Sequence, residues 1–92
     1  MRTIWKYELP HPESTLMLPA GGVVRHFGAQ GDALCVWVEV ETTAQSEPRP
    51  FICVNTGGLV PADEDGVRAE YRGCATVRGI VWHLYEGLRG DG

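Results

Sequence analysis

The segment Gly79-Ile-Val-Trp-His-Leu-Tyr-Glu86 constrains the fold of this chain more than any other. It is dense in β-branched and aromatic residues, the types that suit a pleated, half-buried surface. Successive side chains of a strand point to opposite faces. Ile80, Trp82 and Leu84 therefore share one side, and Val81, His83 and Tyr85 the other. Both sides are apolar. A strand in a simple two-layer domain is polar where it meets water, so one face here belongs to a core and the second needs a cover. That cover is more of the chain, a ligand or another subunit.

The rest of the chain reads as further strands divided by turn residues. Residues 3–9 alternate, with Thr3, Trp5, Tyr7 and Leu9 on one face and Ile4, Lys6 and Glu8 on the other. Pro10-His11-Pro12 ends that run, because proline lacks an amide donor and fixes φ. Shorter strands are predicted at 14–18 and 23–29, punctuated by Pro19-Ala20-Gly21-Gly22 and Gln30-Gly31-Asp32. Residues 33–43 show the cleanest pattern: Leu34, Val36, Val38 and Val40 face a core, while Cys35, Trp37, Glu39 and Glu41 face away. The polar stretch 42–50, ending in Pro48-Arg49-Pro50, reads as an exposed hairpin loop. Strands follow at 51–55, 70–77 and 79–85, with a loop or single helical turn at 59–66 around Pro61 and Asp63-Glu64-Asp65. No segment keeps a helical period for ten residues, and no repeat is evident. An all-β fold follows, a small antiparallel sandwich or barrel of six to seven strands. It forms one domain over 1–87 with a frayed tail at 88–92.

Charge and cysteine usage narrow the function classes. A net charge of −4 argues against non-specific nucleic-acid binding, which needs lysines and arginines to displace phosphate counterions. No run approaches the roughly twenty apolar residues of a membrane helix, and the first residues enter a strand pattern directly. Cys35, Cys53 and Cys74 are odd in number, widely spaced and set among apolar residues. Reduced thiols in a cytoplasmic protein fit that pattern, and without a CxxC pair no zinc site is expected.

No catalytic set emerges. His11 lies between prolines, and His26 and His83 sit in strand patterns without a carboxylate at ligand spacing, so neither a metal nor a cofactor is expected. Ser14 and Ser46 lack a nucleophile elbow. Apolar surroundings raise a thiol pKa rather than activate it. Asn55-Thr56-Gly57-Gly58 could bring backbone amides to a phosphate, but it lacks a P-loop lysine and a following helix, and turn chemistry alone accounts for it. The aromatics give the positive signal. Trp5, Tyr7, Trp37, Trp82 and Tyr85 all occupy strands. Trp37 shares its face with Glu39 and Glu41, which marks an interface, a setting enriched in Trp, Tyr and Arg.

Four pieces taken in order resemble an uncharacterised family of small phage and prophage proteins: Thr3-Ile-Trp-Lys-Tyr-Glu-Leu9, Gly28-Ala-Gln-Gly-Asp-Ala-Leu-Cys-Val-Trp37, Asn55-Thr-Gly-Gly58 and Ile80-Val-Trp-His-Leu-Tyr-Glu86. The resemblance transfers no activity. It implies a phage accessory protein in the cytoplasm of an infected bacterium. The expectation is a non-enzymatic, homo-oligomeric binding protein that antagonises a host defence component. One mechanism is blocking a host protein through Trp37, Glu39 and Glu41, with Trp82 also at the interface. The other is sequestering a signalling nucleotide: Trp5, Tyr7, His83 or Tyr85 stacks the base, Arg25 or Arg78 meets phosphate, and His26 and Asn55-Thr56-Gly57 complete the candidate site. The alternatives are a phosphodiesterase-like hydrolase using His26 or His83, and a virion or assembly component.

Overall fold

The computed structural model describes residues 1–61 and 67–89. Among them the chain forms seven strands and no helix: β1 (Arg2–Glu8), β2 (Glu13–Pro19), β3 (Val23–Gln30), β4 (Ala33–Glu41), β5 (Ser46–Asn55), β6 (Val67–Val77) and β7 (Ile80–Arg89). They pair into two antiparallel sheets, one ordered β1-β4-β3 and the other β2-β5-β7-β6. The fold is all-β, and with two separate sheets it is the sandwich. Its shortest dimension, 17 Å, is that of two sheets stacked about 10 Å apart with their outer side chains.

The alternating pattern of β4 does what its sequence implies. Val36, Val38 and Val40 are fully buried and Leu34 packs against the core, while Trp37, Glu39 and Glu41 line the outer face. Opposite them the second sheet contributes Leu18, Phe51, Cys53 and Leu84, and Leu9 and Phe27 close the same cluster. In β7, Trp82 and Leu84 turn inward, whereas Val81, His83 and Tyr85 sit half-buried on the outer face.

Two sequence-based boundaries move. Residues 46–50 belong to β5 rather than to a loop, and Pro48 and Pro50 pair with Met17 and Thr15 of β2. That part of β5 has a strand on one side only, because β7 begins pairing at Phe51. Alternate amides there face no neighbour, so the prolines forfeit no ladder bond. At the other end β7 runs through Gly87 and Leu88 to Arg89, since β6 pairs with it along its whole length. The acidic run 63–65 and the last three residues lie outside the described residues.

Bulges break the alternation twice. In β3 the register shifts between Val24 and His26, leaving Arg25 as the extra residue. In β6 it shifts between Tyr71 and Gly73, leaving Arg72, and Gly73 adopts φ +125°. A bulge re-aims side chains, and each of these delivers an arginine to a glutamate. The first brings Arg25 Nε to Glu39 at 3.0 Å on the outer face of the three-stranded sheet. The second brings Arg72 Nε to Glu86 at 3.0 Å. Glu86 is fully buried and is also held by both ends of the Arg49 guanidinium, whose Nη1 donates to the Gly22 carbonyl at 2.9 Å.

Candidate binding groove

One end of the sandwich is built by three connections. The chain leaves β1 through Pro10-His11-Pro12 and crosses from one sheet to the other. The crossing is pinned at both ends, by the Leu9 amide donating to the Leu34 carbonyl at 2.9 Å and the Cys53 amide donating to the Pro12 carbonyl at 2.7 Å. Between these points the prolines have no amide to offer either ladder. Beside the crossing stand two two-residue hairpins. Gly31-Asp32 joins β3 to β4, with Gly31 at φ +62°, where glycine at the first central position gives a II′ turn. Arg78-Gly79 joins β6 to β7 with both residues at positive φ, +51° and +77°, the signature of a I′ turn.

These connections enclose a cleft of about 650 Å³. Leu9, Pro10, Pro12, Leu34, Cys53, Val77, Ile80 and Trp82 supply its apolar lining, and Glu8, His11, Gln30, Asp32 and Arg78 its polar groups. A second depression of about 580 Å³ shares His11, Pro12 and Cys53 with it and continues over Glu13, Ile52, Val54, Asn55, Gly58 and Leu59. The two form a groove running from the end of the sandwich, across the His11–Pro12 crossing, onto the outer face of β2 and β5.

The groove's charge is mostly negative. Glu8, Glu13 and Asp32 are carboxylates, Arg78 is a cation in the same cleft as Glu8 and Asp32, and Lys6, outside the lining, donates to Gln30 Oε1. Arg78 Nη2 donates to Asp32 Oδ2 at 2.5 Å, joining the two hairpin tips and hence the two sheets. The guanidinium holds the Asp32 carboxyl below the usual carboxylate range, and Asp32 in turn raises Arg78. Cys53, 6% exposed on the floor, is pushed up to about 11 by burial. At neutral pH it is a thiol and not a nucleophile. Among the described residues no cluster of three or more histidine, cysteine or acidic side chains could hold a metal ion.

The residues singled out in the sequence fall in different places. Arg78 and Trp82 share the cleft, and Asn55 lines its extension. Arg25, His26, Trp37, Glu39 and Glu41 lie on the outer face of the three-stranded sheet. There Glu39 is bonded by Arg2 at 2.9 Å and Arg25 at 3.0 Å, and the His26 ring lies 5.2 Å from Trp37. That tilted ring contact depends on Gly28, where a Cβ would come within 2.6 Å of His26 Nε2. Glu41 takes up the N-terminal amine and the Thr43 hydroxyl. These ion pairs hold both glutamates below their ordinary range.

His83 and Tyr85 lie on the opposite outer face. His83 sits between the Thr56 hydroxyl at Nε2 and the Tyr71 hydroxyl at Nδ1, both at 2.9 Å, and Tyr71 packs edge-on to Tyr85. Tyr7 and Trp5 are on the inner side of β1. Tyr7 is half-buried, with its phenol pushed up by desolvation, and Trp5 is 43% exposed. In the Asn55–Gly58 turn, the Gly58 amide donates to the Asn55 carbonyl at 2.8 Å and the Thr56 amide to Val81 at 3.0 Å. Gly57, at φ +93°, takes the positive-φ position of the turn. Two of the amides offered for a phosphate are thus already bonded.

Sequence reasoning missed Leu9, Pro12, Asp32 and Ile80 as site residues. Gly31-Asp32 and Arg78-Gly79 are legible as turns, but nothing local says that two turns 46 residues apart meet over one cleft.

No curated protein and no solved structure matches this chain. A family model matches residues 1–91, and the chain belongs to that family, a domain of unknown function designated DUF7352.

Proposed function

We propose that this is a non-enzymatic binding protein that engages a segment of a protein partner through the end groove and acts by occupying it. The observation that carries this reading is the groove itself: an apolar cleft and a shallower, mixed polar and apolar depression, continuous over His11–Pro12 and lined by Glu8, Glu13 and Asp32. An apolar cleft that continues into a mixed surface and carries carboxylates complements an extended chain with apolar, polar and basic side chains. A nucleotide needs a stacking ring and free phosphate donors in one place. Here Arg25 is committed to Glu39, His83 and Tyr85 lie on another face, and Arg78 shares its cleft with two carboxylates. The protonated Cys53 thiol gives the groove no activated nucleophile. Stoichiometric blocking of a host protein, the role implied by the likeness to phage accessory proteins, is what such a binder would perform.

Selecting a displayed random-peptide library on the immobilised protein tests this. Enriched peptides should bind wild type and be lost on Ile80→Asp, a substitution at a half-exposed site, with circular dichroism checking that the variant keeps its fold. A panel of cyclic nucleotides and ADP-ribose derivatives should leave the melting temperature unchanged. Recovery of an intact nucleotide after heat denaturation would replace this reading with sequestration. Recovery of an altered one would make the protein a hydrolase.

A further inference from the structure

The ion pair at the mouth of the cleft indicates what the groove selects. Asp32 and Arg78 are the tips of two hairpins from opposite sheets, and their side chains are 64% and 75% exposed. A pair so open to water adds little stability. The I′ turn holds Arg78 in a left-handed backbone conformation that asparagine or glycine would adopt with less strain. An arginine kept at such a position, in a weak contact beside an apolar cleft, points to function. The pair also shows which chemistry the spot accepts: a guanidinium against a carboxylate.

Resting on the reading of the groove as a partner site, we infer that Asp32, with Glu8 lining the same cleft, forms a subsite for an arginine or lysine side chain of the bound segment. In the free protein Arg78 occupies that subsite as an internal stand-in. Binding then exchanges one cation for another, so the exchange costs little, and the apolar part of the segment supplies the affinity on Leu34, Ile80 and Trp82. A neutral or acidic residue at that position leaves Arg78 in place or meets two carboxylates. The other groups facing the subsite are His11 on the crossing and Gln30, which Lys6 holds from outside.

Two synthetic versions of a groove-binding peptide, with arginine or norleucine at the position in question, test the inference by fluorescence anisotropy. Wild type should prefer the arginine peptide, with a preference that shrinks as salt rises. Arg78→Ala removes the competitor and should tighten the arginine peptide about two- to fivefold, the range of an exposed ion pair, while leaving the norleucine peptide unchanged. Asp32→Asn should abolish the preference. Both sites are exposed, and near-ultraviolet circular dichroism confirms that the variants keep the fold. The inference is overturned if Arg78→Ala fails to tighten the arginine peptide, or if Asp32→Asn leaves the preference intact. Failure of the underlying reading looks different: Ile80→Asp would then leave both peptides bound.

Discussion

Arg78 and Cys53 are single residues whose surroundings set them apart. At φ +51° Arg78 bears the crowding between Cβ and backbone that makes left-handed conformations cost an ordinary residue about 1–2 kcal/mol. Arg78→Asn relieves part of that and should raise stability by about 0.5 kcal/mol in urea denaturation, even though it gives up the Asp32 pair. Cys53 sets a pH limit. Its thiol rises from an ordinary value of 9.0 to about 11 in the folded protein. Below pH 9 the thiol is neutral in both states. Above it the unfolded chain releases a proton that the folded chain keeps, so stability falls as pH climbs from 9 towards 11. At 1.36 kcal/mol per pKa unit the loss reaches at most about 3 kcal/mol. Cys53→Val should flatten that part of the profile. Iodoacetamide should label the exposed Cys74 in the native protein and reach Cys35 and Cys53 only on unfolding.

At the scale of elements, the last strand, its neighbour β5 and the bulged β6 decide how the sheets are held. The Arg49–Glu86–Arg72 cluster lies at the end of β7 opposite the groove, and Glu86 is fully buried there. Removing one member of a buried ion cluster strands the others in low dielectric, at about 3–5 kcal/mol. Glu86→Ala should therefore lose much of the 5–15 kcal/mol typical of a domain, visible as a large fall in melting temperature. Replacing all three residues by apolar ones of similar volume should recover most of that loss. Gly73→Val should be destabilising through the same cluster, because a β-branched residue at φ +125° cannot keep the bulge that aims Arg72. None of this was legible locally. Glu86 reads as an ordinary strand-ending glutamate, and its arginine partners lie 37 and 14 residues away.

At the scale of the molecule, the described residues leave one broad face of the four-stranded sheet without a cover. Met17, Ile52, Val54, Tyr71, Val81 and Tyr85 lie on it, and Glu13 is the charged side chain among its described residues. This is the second face of β7 that the sequence marked. If a second copy packs there, light scattering should report a dimer that Met17→Glu with Tyr71→Glu converts to monomer without unfolding. A monomer at every concentration would leave the face to a different partner.

The sequence by itself determined the class of structure. Period-two alternation over β1, β4 and β7, interrupted by proline and glycine turns, permits strands and little else, and it named the buried row Val36, Val38 and Val40 correctly. It also showed that Ile80–Glu86 is apolar on both sides. Three matters were decided only in three dimensions. A bulge changes the face of the residues beyond it and re-aims the extra residue, so His26 turned out beside Trp37 and the extra Arg72 reaches Glu86. Proline is tolerated in a strand only where a neighbour is missing, which is a property of sheet order. The groove exists because a crossing and two hairpin tips, distant in sequence, meet at one end of the sandwich. Alternation is local and survives in a sequence, whereas the meeting of loops depends on the long-range order of strands.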